Sequence, residues 1–321
     1  MTGHTGLTTP VEPVSAVGPG ATGARPTRIR IWLMAIRPAT LPAAVSGVVV
    51  GVGAALGSGA SVRIDTAAGC LAVALLLQIA ANLSNDLFDF RRGADTPVRS
   101  GPVRVAAAGL VTERQLELAI AITVGLAGVV GLWLVSVGGP VLLGLGIFSV
   151  IAALAYTGGP WPYGYHGLGE VFVFAFFGLA AVVGTAYLQA GRVELLYVAA
   201  AIPVGALTTA ILVVNNLRDI PTDRAVGKRT LAVTLGVRAT KVEFLLLLGV
   251  AFAVPIVLAL AGRQLWVLVP LATFPMAMPL VGTVRGFADP RELNPVLKGT
   301  ARLALVYGLL FAAGLAAGTA T

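Results

Sequence analysis

Acidic residues are scarce in this chain, and the densest of them fall in two clusters of matched design. The first reads NLSNDLFDFRRGADTPVRSGPVR over residues 82–104, and the second reads NNLRDIPTDRAVGKRT over residues 215–230. In the first, Asn82, Asp86 and Asp89 are spaced i, i+4, i+7, which puts them on one face of a continuing helix. Asn85 is adjacent to that face, and Asp95 follows in a loop across Gly93. In the second, Asn215 and Asp219 repeat the i, i+4 spacing and Asp223 follows four residues later. Pro221 disfavours helix at Ile220, so Asp223 need not share an unbroken helix with Asp219. Carboxylates and an amide pointing the same way make a hard-oxygen site that suits Mg²⁺, which takes one or two carboxylates and completes its shell with water and phosphate oxygens. Bases follow each cluster: Arg91, Arg92, Arg99 and Arg104 after the first, and Arg224, Lys228 and Arg229 after the second. Carboxylates, Mg²⁺ and bases together are the parts that hold a diphosphate.

A metal-held diphosphate is a good leaving group. If its organic part is allylic, departure leaves a delocalised carbocation that an electron-rich ring can capture, with the metal stabilising charge on the leaving group. Aromatic side chains can stabilise the cation, and Tyr156 is the candidate; an interfacial anchoring role is its bland alternative. A single arginine at the end of a span is most often a topology or head-group contact, whereas two matched acidic clusters argue for a site. A transporter would place its polar groups nearer the bilayer midplane, and the Asp-Gly-x-x-Ala-Arg pattern of lipid phosphotransferases is absent. The residues alone reach a prenyl diphosphate and an acceptor.

The elements that must position these clusters are membrane helices. Of the 321 residues, 57% are hydrophobic and only 11% are charged, against about a quarter charged in a soluble domain. The fold class is therefore an all-α integral membrane protein. Nine apolar stretches are long enough to span a bilayer, at 39–60, 66–89, 115–137, 139–157, 168–190, 194–217, 241–262, 264–284 and 299–319. The two clusters close the second and sixth spans. With Asn-x-x-x-Asp at 82–86 and again at 215–219, the pattern reads as two parallel pseudo-repeats with the site between them. With the N-terminus cytoplasmic, only Arg63, Arg192 and Arg263 among the basic residues fall on the outer side, so the positive-inside bias predicts N-terminus in and, with nine spans, C-terminus out. The net charge of +8 is then topology and not a nucleic-acid footprint. Residues 1–30 read as a disordered cytoplasmic tail and 31–321 as one transmembrane domain. The lone Cys70 and the two histidines, His4 and His166, exclude a disulfide framework and a cysteine- or histidine-based metal site.

Several segments carry a family resemblance: WLMAIRPATLPAAVSG at 32–47, the cluster from Asn82 to Asp95, R-x-G-P-x-R from Arg99 to Arg104, AYTGGPWPYGYHGLGEVFVFAFFG at 155–178, and NNLRD with GKRTLAVTLG between 215 and 236. The chain resembles the UbiA superfamily of intramembrane aromatic prenyltransferases, and within it those members that prenylate 1,4-dihydroxy-2-naphthoate in menaquinone biosynthesis. The resemblance implies a nine-helix bundle around a central cavity in a bacterial plasma membrane. It implies that Asn82, Asp86, Asp89, Asp219 and Asp223 bind Mg²⁺ and diphosphate, and that Lys228 and Arg104 contact phosphate. Asp95 and Arg99 then belong to the same cytoplasmic cap, and Asn215 and Tyr156 fall at motif positions. The resemblance also implies that Arg99, Asn82 and Asn215 bind the diphosphate and that Tyr156 acts in catalysis with Asp86, Asp89, Asp219 and Asp223. Glu170 is a further polar residue at the inner end of a span. The implied substrates are a polyprenyl diphosphate and 1,4-dihydroxy-2-naphthoate.

Overall fold

The computed structural model describes residues 26–95, 100–262 and 264–318. Among these, eight helices are long and apolar enough to cross a membrane, and the shorter Val141–Ala155 is a ninth. The chain is a multi-pass membrane protein. Its first span joins α1 (Arg28–Ile36) to α2 (Leu41–Gly57) through a break at Arg37. Then come α3 (Ile64–Arg91), α4 (Glu113–Gly138) and α5 (Val141–Ala155). The fifth span runs through α6 (Gly169–Val173), a π turn (Phe174–Ala180) and α7 (Ala181–Ala190). It is followed by α8 (Leu195–Ala225), α9 (Leu231–Leu260), a 3-10 segment (Leu265–Thr273) leading into α10 (Phe274–Gly286), and α11 (Leu293–Ala317).

The nine expected spans are present, with different ends. Helix begins at Arg28, inside the stretch expected to be tail, and residues 1–25 lie outside the described residues. Pro221 left open whether Asp223 shares an unbroken helix with Asp219, and it does: α8 continues to Ala225. A proline inside a helix costs about 3 kcal/mol. Here the residues just before it, Arg218, Asp219 and Ile220, are all buried, and tertiary anchoring of that turn outweighs the local preference. As a result Asp219 and Asp223 do share one helical face. The seventh span begins ten residues earlier than expected, because the TLAVTLG segment is itself helical. Gly236, at φ 78°, is the non-helical residue that bends it into the rest of α9, a backbone conformation glycine reaches at little cost.

Packing in lipid depends on close approach of backbones. α8 is buried along most of its length and forms the centre of the bundle. Gly178 on the π turn meets Gly205 on α8 so closely that an added Cβ would lie 2.7 Å from the Gly205 Cα. Around this axis α2, α3, α4, α5, the fifth span and α8 line a cavity of about 630 Å³ that runs from the acidic clusters into the apolar interior.

Candidate active site

Two helix ends supply the site. On α3, the periodicity that put Asn82, Asp86 and Asp89 on one face places all three in buried positions. The Asp86 carboxylate accepts hydrogen bonds from the backbone N–H groups of Val105 (3.2 Å) and Ala106 (2.9 Å), and Arg37 Nη2 stands 4.0 Å away. Arg37 reaches it from the break between α1 and α2, where φ of 56° makes it the one non-glycine residue with positive φ among the described residues. Asp89 accepts from the Tyr165 hydroxyl at 2.8 Å and from Arg104 Nη2 at 2.9 Å. Arg104 Nε lies 3.3 Å from Asp95. Arg104 Nη1 is buried and makes no hydrogen bond. Asn82 donates through Nδ2 to the Ile36 carbonyl (2.8 Å) and the Thr40 hydroxyl (3.0 Å), and accepts from Gln78 at 3.3 Å. Asn85, also on the cavity wall, accepts from the Thr157 hydroxyl at 2.9 Å.

On α8, the Asp219 carboxylate is gripped through both oxygens by the Arg218 guanidinium at 2.8 Å. Asp223 lies 3.9 Å from Lys228 Nζ, and the same ammonium is 4.0 Å from Asp89. Lys228 thus joins the two clusters, as their placement at the same end of the spans predicts. The site residues divide by position. Asn82, Asp89, Arg104, Tyr156, Asn215 and Lys228 line the cavity, whereas Asp86, Asp219 and Asp223 stand outside its wall. Arg99 lies outside the described residues. Tyr156 ends α5 with its ring 5.4 Å from that of Tyr163, edge to face. It is held between two glycines: a Cβ on Gly164 would come within 3.1 Å of the Tyr156 ring, and one on Gly169 within 3.4 Å of its hydroxyl. Glu170 is buried, accepts from the Asn216 amide at 2.8 Å, and does not line the cavity.

The oxygen-rich donor set fits a hard divalent cation. Among the described residues no three acidic, cysteine or histidine side chains are grouped tightly enough to hold an ion on their own. An ion here would take one or two carboxylates and fill its shell from phosphate and water, the mode Mg²⁺ favours. The unbonded Arg104 N–H and the Lys228 ammonium supply the cationic side of an anion site.

The profile of the UbiA prenyltransferase family matches residues 44–306. The chain belongs to that family. It is 44% identical over 287 residues to the 1,4-dihydroxy-2-naphthoate octaprenyltransferase of Mycobacterium tuberculosis, covering 89% of this chain and 97% of that one. It is 39% identical to the enzyme of the same name from Escherichia coli, covering 90% and 96%. Among solved structures, it shares its fold with a UbiA homologue from Archaeoglobus fulgidus bound to GPP and Mg²⁺, at a TM-score of 0.64 and 14% identity over 89% of this chain and 99% of that one. An apo UbiA homologue from Aeropyrum pernix superposes equally well, with a TM-score of 0.64 and 19% identity over 86% and 98%.

Two members of this prenyltransferase's site do not stand out in the sequence. Tyr165 is the first. Its ring lies 5.4 Å from the Arg92 guanidinium and 5.0 Å from Lys228 Nζ, while its hydroxyl donates to Asp89. Burial, reinforced by the Asp89 charge, pushes its phenol well above the ordinary tyrosine range, so it stays a donor at any working pH. Its only signal is a place in an aromatic-rich loop. Arg218 is the second. In sequence it is the arginine of the NNLRD segment, one of many at span ends, but among the described residues it is the largest fully buried side chain.

Proposed function

We propose that this prenyltransferase moves a polyprenyl group from its diphosphate to 1,4-dihydroxy-2-naphthoate, with loss of CO₂ and diphosphate, giving demethylmenaquinol. The observation that carries the reading is the arrangement of the cavity. An unbonded Arg104 N–H, Lys228 and Asp89 stand at its inner end, aromatic rings follow, and aliphatic side chains line the rest. The acceptor is supported by relatives of that name that align over nearly their full length.

The diphosphate sits at the inner end, where Arg104 and Lys228 donate to its oxygens. Asp89, Asp223 and their neighbours would hold a Mg²⁺ ion, which would neutralise charge on the leaving group. Asp86 fixes the 104–106 turn, and with it Arg104, through two backbone hydrogen bonds. Tyr165 and Arg104 hold the Asp89 carboxylate in one orientation. The allylic C–O bond breaks with its electron pair leaving on diphosphate. Tyr156, Tyr163 and Phe172, the last two stacked at 4.0 Å, present ring faces and edges near the cation. The ring carbon bearing the carboxylate forms the new C–C bond, and the C–CO₂ electron pair returns to the ring as CO₂ departs. The apolar wall keeps water from capturing the cation. The site faces the cytoplasm of a bacterial plasma membrane, with the N-terminus inside and the C-terminus outside, a reading supported by the basic residues beside it.

The test is a competition assay in mild detergent. A polyprenyl diphosphate, Mg²⁺ and equimolar 1,4-dihydroxy-2-naphthoate, 4-hydroxybenzoate and homogentisate are offered, and products are identified by mass. A decarboxylated prenyl naphthoquinol, or the quinone that dissolved oxygen makes from it, that disappears with chelator is the expected result. Prenylation of another ring overturns the acceptor, and no product from folded protein overturns the reaction.

A further inference from the structure

The two asparagines of the repeated Asn-x-x-x-Asp motif both line the cavity, but they are turned in opposite senses. Arg218 decides this on α8. Its buried guanidinium grips both oxygens of Asp219, donates from Nη2 to Asn215 Oδ1 at 2.9 Å, and donates from Nη1 to Asn294 Oδ1 at 3.0 Å. Asn294 in turn donates to the Ser100 carbonyl at 2.9 Å, tying the start of α11 to the inner loop. A guanidinium has donors and no acceptor. The amide atom that Asn215 turns toward it must therefore be oxygen, and the end left for the cavity is the NH₂. On α3 the sense is reversed. Asn82 faces the Ile36 carbonyl, an acceptor only, so its NH₂ is consumed there. Its oxygen is engaged only by Gln78 at 3.3 Å. One asparagine offers the cavity an oxygen and the other a donor.

We propose that Arg218 is a positioning residue that turns the Asn215 amide so that it donates to the substrate diphosphate and cannot ligate a metal ion, leaving Asn82 as the metal-side amide. This rests on the diphosphate site proposed above. It makes the two asparagines of the motif chemically distinct: Asn82 presents an oxygen to the metal side, and Asn215 donates to the leaving group.

The test is calorimetric titration of geranyl diphosphate, with Mg²⁺, into the full chain in nanodiscs. Asn215→Asp keeps an acceptor for Arg218, so the protein stays folded with an unchanged melting temperature, but it replaces the donor with an anion. Geranyl diphosphate binding is expected to weaken by about tenfold or more, the scale of one lost hydrogen bond to a charged group. Asn215→Ala, which removes the donor and adds no charge, is expected to fall between wild type and Asn215→Asp. Arg218→Lys is expected to weaken binding in the wild-type background and to weaken it less in Asn215→Asp, where only the hold on Asp219 is left to lose. Unchanged or tighter binding by Asn215→Asp would mark Asn215 as a metal ligand and sink the proposal, as would full additivity of the two substitutions. Failure of the wild type to bind geranyl diphosphate would overturn the diphosphate site as well.

Discussion

The acidic ends of α3 and α8 begin from the same motif and are stabilised in different ways. Asp86 and Asp89 on α3 are satisfied by distant groups: backbone amides at 105 and 106, Arg104, and the hydroxyl of Tyr165. On α8, both oxygens of Asp219 accept from its immediate neighbour, Arg218, which is 2% exposed. The first end is an assembly of loops that closes around its carboxylates. The second is a pre-formed unit on a central helix. Assembly by loops suits a site that must admit and release a substrate, whereas a buried ion pair is a rigid fixed point, costly to desolvate and costlier to break. Lys228, about 4 Å from a carboxylate of each, is where the two designs meet.

The largest effect that probes this contrast is on turnover. Asp89→Asn removes the one cavity-lining carboxylate of the site, so kcat is expected to fall by about 10³-fold or more. An NH₂ also takes the place of one of the two accepting oxygens, so the bond from Tyr165 or from Arg104 is lost and the melting temperature falls with it. Turnover near wild type at saturating Mg²⁺ would remove Asp89 from the centre of the mechanism. Stability then separates the clusters. Asp219→Asn strips the charge partner from a buried guanidinium and is expected to cost about 3–5 kcal/mol. Asp86→Asn weakens two backbone hydrogen bonds and is expected to cost about 1–3 kcal/mol. Both should nearly abolish turnover. Thermal unfolding in one detergent reads the order, and a larger loss for Asp86→Asn would reverse the picture of a rigid α8 and an assembled α3. Next in size is Tyr165→Phe, which keeps the ring between Arg92 and Lys228 and deletes the bond to Asp89. A fall in kcat/KM of about 10- to 100-fold is expected, on the scale of one charge-assisted hydrogen bond. An unchanged kcat/KM would mean that Arg104 alone orients Asp89.

The contrast also explains what could be read from the sequence. Nine apolar runs, the helical spacing of Asn82, Asp86 and Asp89, and the gathering of acids and bases on one side follow from composition and periodicity, and all are found in the fold. Pro221 left the local reading open because its helix is held by burial of Arg218, Asp219 and Ile220, not by propensity. Tyr165 and Arg218 were invisible as members of the site for a related reason. A loop tyrosine gains its partner only when the 157–168 segment folds back on α3, where Arg92 donates to the Thr157 and Gly159 carbonyls. An arginine at the end of a span reads as a surface charge until α11 covers it. Spacing along one helix is written in the sequence, but the partner across helices is not.

The smallest effect concerns how the α3 end is held from outside. The Asn82 amide is shared between the Ile36 carbonyl and the Thr40 hydroxyl, so the break between α1 and α2 sets the direction in which its oxygen points. Thr40→Val keeps the side-chain shape and the β-branch but removes the hydroxyl. One of two neutral acceptors is lost while the Ile36 carbonyl remains, which on the scale of about 0.5–1 kcal/mol is a factor of about two to five. We expect that loss to appear as a raised KM for the prenyl diphosphate with kcat unchanged, because a loosened Asn82 weakens the ground-state grip on the metal-bound substrate and leaves the groups around the breaking bond in place. A fall in kcat at constant KM would instead place Asn82 among the groups that act in the transition state.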